Sequence, residues 1–118
     1  MWSRSGQEKK EDSGKALALA FQRLFSKLTK ENLWIYILCI LKEGPDYALS
    51  LKRKVAERFN VRAAKITFYF VLYRMEKEGL VTSDRVQGKR LYHATQKGLE
   101  ELKRAVQLLS ETLRLIES

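Results

Sequence analysis

Cysteine, proline and histidine are nearly absent: the sequence has one of each, Cys39, Pro45 and His93. A lone cysteine excludes an internal disulfide, and the apolar run around Cys39 makes it a packing residue rather than a reactive one. With His93 as the only imidazole there is no Ser/His/Asp set, and no cluster of residues has metal-ligand spacing. The few glycines form no phosphate-cradling loop. No apolar run reaches the length of a membrane span, and no charged-apolar-small pattern marks an export signal. These absences argue against an enzyme, a metalloprotein and a membrane protein. They lead to the expectation of a cytoplasmic protein that needs no cofactor.

Acidic side chains are also in deficit, 14 against 23 basic ones, for a net charge of +9. Their distribution is informative. Residues 1–14 hold three charges of each sign and residues 96–118 four of each, so both ends are neutral. Residues 15–60 hold nine positive against four negative, and residues 61–95 seven against three. A basic middle between neutral ends is what phosphate binding requires, although general solubility produces a milder version of the same pattern.

Three segments should support that basic middle. Residues 1–14, with Gly6, Gly14 and three serines among mixed charges, are expected to form a mobile tail. From Lys15 the pattern is helical, with Leu17, Phe21, Leu24, Phe25 and Leu28 on one stripe that needs a partner in the same chain or in a second subunit. Thr29 is placed to cap the next helix, whose run Leu33–Leu41 carries no charge and suits a buried central position. Lys42-Glu43-Gly44-Pro45 stops it. Asp46 is expected to cap a third helix with Ala48, Leu51, Val55 and Phe59 inward and Lys52, Arg53, Lys54 and Arg58 on the surface.

The stretch from Val61 to Thr95 carries most of the functional information. Ile66 to Tyr73 is aromatic and β-branched enough for a strand, but Arg74 to Glu78 are good helix formers and Gly79 supplies a left-handed stop. On a helix, Phe68, Val71, Leu72 and Met75 share one face, with Ile66, Tyr69, Phe70 and Tyr73 on the other. Two short strands follow around a Gln87-Gly88-Lys89 turn. Arg85, Lys89 and Arg90 charge the hairpin tip. A helix followed by a basic hairpin is the order of a winged helix.

The last helix should start at Thr95 and run to the end. Leu99, Leu102, Val106, Leu109, Leu113 and Ile116 are spaced three, four, three, four, three, a heptad seam with Leu108 and Leu115 widening it. Roughly 22 helical residues are about 33 Å long, more than a small domain can cover. The seam predicts a homodimer. The expected organisation is a tail (1–14), a winged-helix domain with an N-terminal helix (15–95) and a dimerisation helix (96–118). The fold class is mainly α (α+β), a winged helix-turn-helix.

The segments Ile37-Leu38 to Glu43-Gly44-Pro45, Tyr47 to Lys54, Thr67 to Val81 and Arg90-Leu91-Tyr92 to Thr95-Gln96-Lys97-Gly98 resemble the PadR-like family of transcription regulators. The likeness covers about residues 33–102, and it is the order and spacing of these pieces that are specific. It implies a winged helix-turn-helix dimer that binds double-stranded operator DNA, usually as a repressor. By position, the DNA-reading helix falls on residues 63–78 and the wing on Arg85 to Arg90. Two departures stand out: Phe70 occupies the family's proline position, and the loop after Pro45 lacks the glycine that often precedes the tyrosine matched by Tyr47.

Under this reading Arg62 and Lys65 reach phosphate or guanine, Thr67 donates or accepts, and Tyr69 meets phosphate through its hydroxyl. Phe70 and Tyr73 offer stacking or thymine-methyl contact, and Lys89 and Arg90 meet the backbone or minor groove. Packing in the core or dimer is the competing role for each aromatic. A protein-interaction module that has lost base readout is the alternative function, with Ile66, Phe70 and Tyr73 docking a partner protein. The resemblance also implies a small aromatic effector, for which Trp34, Phe21 and Phe25 are candidate lining residues, with core packing the simpler role.

Overall fold

The computed structural model describes residues 15–118, so the tail expected over residues 1–14 lies outside the described part. Two compact units divide at Asn32 and Leu33. In the first, helix α1 (Lys15–Leu28) is followed by a single 3-10 turn, Lys30–Asn32. Phe21 and Phe25 stack along α1 with ring centroids 6.4 Å apart. Leu24 and Leu28, on the stripe expected to need a partner, are exposed.

Thr29 does not cap the helix that follows it. Its amide and its hydroxyl both donate backward to the Phe25 carbonyl, at 3.0 and 2.6 Å. A threonine at a helix end can satisfy the orphan carbonyl four residues earlier, and here that partner wins over the amides ahead.

The second unit, residues 33–118, contains the core. Helix α2 (Leu33–Leu41) is the uncharged nonapeptide, and Leu33, Ile37, Leu38, Ile40 and Leu41 are buried in it. Strand β1 (Asp46–Tyr47) leads into helix α3 (Ala48–Phe59), helix α4 (Lys65–Lys77), strands β2 (Val81–Val86) and β3 (Lys89–Ala94), and helix α5 (Gln96–Glu117). Helix α2 packs against α3, α4, β3 and α5, which places it at the centre. From α3, Ala48, Leu51 and Val55 enter the core; from α4, Phe68, Leu72 and Met75; from α5, Leu102. No helix among the described residues is long and apolar enough to cross a membrane.

Asp46 also differs from expectation. The residue at the α3 cap is Tyr47, without a side-chain capping bond. The Asp46 backbone pairs with Tyr92 in the sheet, and this carries its carboxylate beside the helix rather than onto its end. There Oδ1 accepts from the Tyr47 amide at 2.8 Å, while Oδ2 accepts from Ser50 Oγ at 2.8 Å and Lys54 Nζ at 2.9 Å. Burial alone would raise its pKa, but the bonds from Lys54, Ser50 and Tyr47 outweigh it and hold the carboxyl below its ordinary value.

The sheet runs in the order β1-β3-β2, antiparallel throughout. The hairpin turns on two residues, Gln87 at φ 51° and Gly88 at φ 80°. Two successive positive φ angles match the right-handed twist of the flanking strands, and only residues tolerant of the left-handed region suit them.

Candidate nucleic-acid interface

Helix α4 presents two chemically different sides. Its inner side is fixed by Phe68, Leu72 and Met75 in the core, as the spacing predicts. Lys65, Thr67, Tyr69, Phe70 and Tyr73 are therefore exposed, and Arg62 is exposed in the extended segment before the helix. Ile66, absent from the candidate contact set, is the most exposed large apolar side chain described, at 83%.

The far end of α4 is closed by backbone geometry. Gly79, at φ 81°, lets its own amide bond the Glu76 carbonyl at 3.1 Å and the Leu80 amide bond the Met75 carbonyl at 2.9 Å. That pair is the Schellman arrangement, which satisfies two carbonyls left open by the helix end.

The wing follows at a fixed register. Ser83 faces Tyr92 and Arg85 faces Arg90, on the side of the sheet that bears the buried Tyr92. Arg90 Nη1 donates to Ser83 Oγ at 2.9 Å, and Ser83 Oγ donates to Glu76 Oε2 at 2.9 Å. This relay ties the wing to α4. Arg85 donates to the Gly88 carbonyl at 3.1 Å, which holds it at the turn. The two backbones are opposite here, but the side chains part, Arg85 toward the turn and Arg90 toward Ser83.

Lys89 and Arg90 do not form one basic tip. Neighbouring strand residues point to opposite faces. Lys89 Nζ accordingly lies 5.8 Å from the Tyr47 ring, while Arg90 faces α4 with Arg85. Arg85, expected across the hairpin from Lys89 and Arg90, pairs in register with Arg90 through a two-residue turn.

Three of the four cations on α3 are ion-paired. On α3, Arg53 pairs with Glu57 at 3.9 Å, Lys54 with Asp46 at 2.9 Å and Arg58 with Glu43 at 2.9 Å. Those charges are answered within the chain. Arg62, Lys65, Arg85, Lys89 and Arg90 form no ion pair among the described residues. All five lie at the start of α4 or on the wing, the two elements that meet DNA in a winged helix, although Arg23, Lys30, Lys42, Lys52, Lys77, Lys97 and Lys103 are also without an ion pair among the described residues.

His93, on the opposite face of the wing, has Nε2 3.1 Å from Asp84 Oδ2. Cys39 is half-buried, and burial pushes its thiol pKa up, which suits a packing role. Trp34 packs against the core of the second unit, whereas Phe21 and Phe25 belong to α1.

Along α5, Leu102 is buried at 4% exposure in the chain's own core and Leu99 is half-buried. Val106, Leu109, Leu113 and Ile116 are exposed, as are Leu108 and Leu115. The distal half of the seam thus projects beyond the domain it starts from.

Residues 37–104 match the sequence profile of the transcriptional regulator PadR-like family. A PadR family transcriptional regulator from Eggerthella lenta has a similar structure, with a TM-score of 0.70 at 23% identity, covering 89% of this chain and 99% of that one. One from Clostridium difficile gives 0.63 at 24% identity, over 71% of this chain and 93% of that one. A transcriptional regulator from Clostridium thermocellum gives 0.65 at 23% identity, over 71% and 85%. No curated protein sequence matches the chain. The profile match extends over more than half the chain, from α2 through both interface elements into α5, and the chain therefore belongs to the PadR-like family of transcriptional regulators, DNA-binding proteins rather than enzymes.

Proposed function

We propose that the protein binds a specific double-stranded DNA sequence as a homodimer and represses transcription from it. The observation that carries this reading is the exposed cationic set on the start of α4 and the wing, where Arg62, Lys65, Arg85, Lys89 and Arg90 form no ion pair among the described residues. Helix α4 enters the major groove with its first turns toward the bases, and the wing lies along the backbone.

The exposed distal seam of α5 supports the dimer. Val106, Leu109, Leu113 and Ile116 recur at heptad spacing on a helix of 22 residues. Two chains joined along it present two reading helices, and a two-fold related pair suits half-sites roughly 34–36 Å apart, one turn of the duplex. A small aromatic effector, implied by the family resemblance, belongs to the same proposal. Its test is whether an aromatic compound quenches indole fluorescence and weakens DNA binding together.

A second reading has one observation in its favour. Ile66, Phe70 and Tyr73 form an exposed apolar stripe that a partner protein could cover. A gel shift on the protein's own upstream region at two salt concentrations separates the readings. Specific retardation that persists against unrelated competitor and weakens steeply with salt supports DNA binding. Retardation equal to that of the competitor, or none, favours the interaction module.

A further inference from the structure

The exposed face of α4 is poor in the side chains that read DNA by paired hydrogen bonds. Between Val61 and Glu78 there is no asparagine or glutamine, the residues that bond adenine at two points. The arginines in that span stand at its edges, Arg62 ahead of the helix and Arg74 near its end. What the first two turns offer instead is Lys65, Thr67, the Tyr69 hydroxyl and two apolar groups, Ile66 and Phe70, at 83% and 56% exposure.

Ile66 and Phe70 are four residues apart and so lie one above the other on one face of α4. The Arg74 guanidinium sits 5.8 Å from the Phe70 ring centre and steadies the ring from the C-terminal side. Tyr73 continues the stripe, with Lys77 Nζ 5.4 Å from its ring. Cations therefore follow the stripe at its distal end and precede it at Arg62 and Lys65. Its occupant must be anionic around its margin and apolar at isolated points within. In the major groove of a duplex the apolar point is the thymine C5-methyl group, flanked by phosphates on both sides.

We infer that Ile66 and Phe70 are specificity-determining residues that read thymine methyl groups, so that the target site is selected by apolar contacts to A·T pairs. This rests on the reading that α4 enters the major groove. Lys65 or Arg62 adds a guanine contact at the helix start, and Thr67 serves either base. The strand from which each thymine projects is set by the operator.

Deoxyuridine tests this directly, because it keeps the Watson–Crick pairing of thymidine and removes only the methyl group. The upstream fragment is prepared once with thymidine and once with full deoxyuridine replacement, and both are titrated with the full chain and with Ile66→Ala and Phe70→Ala. Wild type binds the uridine fragment more weakly, by about fourfold for each contacted methyl, the factor that follows from burying one such group. Each variant binds the thymidine fragment more weakly by a similar factor and discriminates less between the two. Both side chains are exposed, so circular dichroism should report an unchanged fold.

Specific binding with equal affinity for the two fragments overturns the inference and leaves the major-groove reading standing. Absence of any specific, salt-dependent binding overturns that reading itself. Variants that bind both fragments like wild type assign the stripe to a protein partner and overturn the inference as well.

Discussion

Thr95 Oγ1 donates to the Gly79 carbonyl across 2.6 Å and accepts from the Gly98 amide at 3.0 Å. One hydroxyl thus closes the exit of α4 and opens α5. The neighbouring bonds follow the same plan: the Thr95 amide donates to the Leu80 carbonyl at 3.1 Å and Lys97 Nζ to the Glu78 carbonyl at 2.9 Å. Three successive carbonyls after α4 are therefore held by Thr95 and Lys97, at the start of α5. The orientation of α4 is coupled to that of α5 through this short junction.

Thr95→Val removes both roles of the hydroxyl at nearly constant volume. We expect a loss of about 1–3 kcal/mol, from the lost cap and the carbonyl left without a partner. Thr95→Ser keeps the hydroxyl and should retain most of the stability. Urea midpoints for the three proteins, followed by circular dichroism, measure both effects, and equal midpoints for Val and wild type would rule the junction unimportant.

Gly98→Ala tests the close approach at the same junction. A Cβ at position 98 would meet the Leu80 carbonyl oxygen at 2.2 Å and Leu38 Cδ2 at 3.1 Å. The carbonyl is backbone held by the Thr95 amide and cannot swing away, so α5 must shift. We expect destabilisation of about 1–3 kcal/mol despite alanine's better helix propensity, read as a lower urea midpoint.

The elements of this junction are legible in the sequence, but their union is not. Gly79 reads as a helix stop and Thr95 as a start, because each acts on amides and carbonyls close to it in the chain. The bond from Thr95 to Gly79 spans 16 residues and exists only after the β2–β3 hairpin has returned the chain. The two caps that the structure corrects have different causes, one local and one long-range. Thr29 and Asp46 have the right chemistry for capping, but the Phe25 carbonyl and the sheet pairing with Tyr92 claim them first. Periodicity was sufficient where burial decides, as for Phe68, Leu72 and Met75 against the strand-like composition of Ile66 to Tyr73. At the interface, the opposition of Arg85 to Arg90 and the divergence of Lys89 required the register.

Asp46 gives the fold an acid-sensitive point. Its folded pKa is depressed, so its contribution is present above the unfolded value of about 3.9 and is lost as pH falls through the folded value. Asp46→Asn should be less stable than wild type at neutral pH by about 1–3 kcal/mol, since the Lys54 and Ser50 partners lose their acceptor charge. The gap should narrow below about pH 4. Denaturant midpoints across pH test this, and a constant gap would show that the ionised carboxylate is not the source.

Salt dependence tests the wing cations against a cation held in an ion pair. Lys89→Ala, Arg90→Ala and Arg85→Ala should each flatten the log-log slope of affinity against salt by about one unit or less, the share of one released counterion. Arg58→Ala should leave the slope as it is, because that charge is already paired with Glu43 at 2.9 Å. Fluorescence anisotropy with a labelled upstream duplex gives the slopes. Equal slopes for wild type and all wing variants would remove the wing from the binding surface.

The seam on α5 mixes two roles, and substitution should separate them. Leu102 belongs to the core of its own chain, so Leu102→Ala should lower stability by about 2–5 kcal/mol through the cavity it leaves. Leu109 and Leu113 are exposed in the single chain, so replacing either by glutamate removes nothing from that core. In a dimer, the same change places a charge in an apolar seam and forfeits about 1.5–3 kcal/mol of burial for each leucine on each protomer. Sedimentation at micromolar concentration should therefore give a dimer for wild type and a folded monomer for Leu109→Glu and Leu113→Glu. DNA affinity should fall with the dimer, because a single reading head loses the second half-site. A wild-type protein that already sediments as a monomer would remove the seam as the dimer contact, and the exposed leucines would then need another partner.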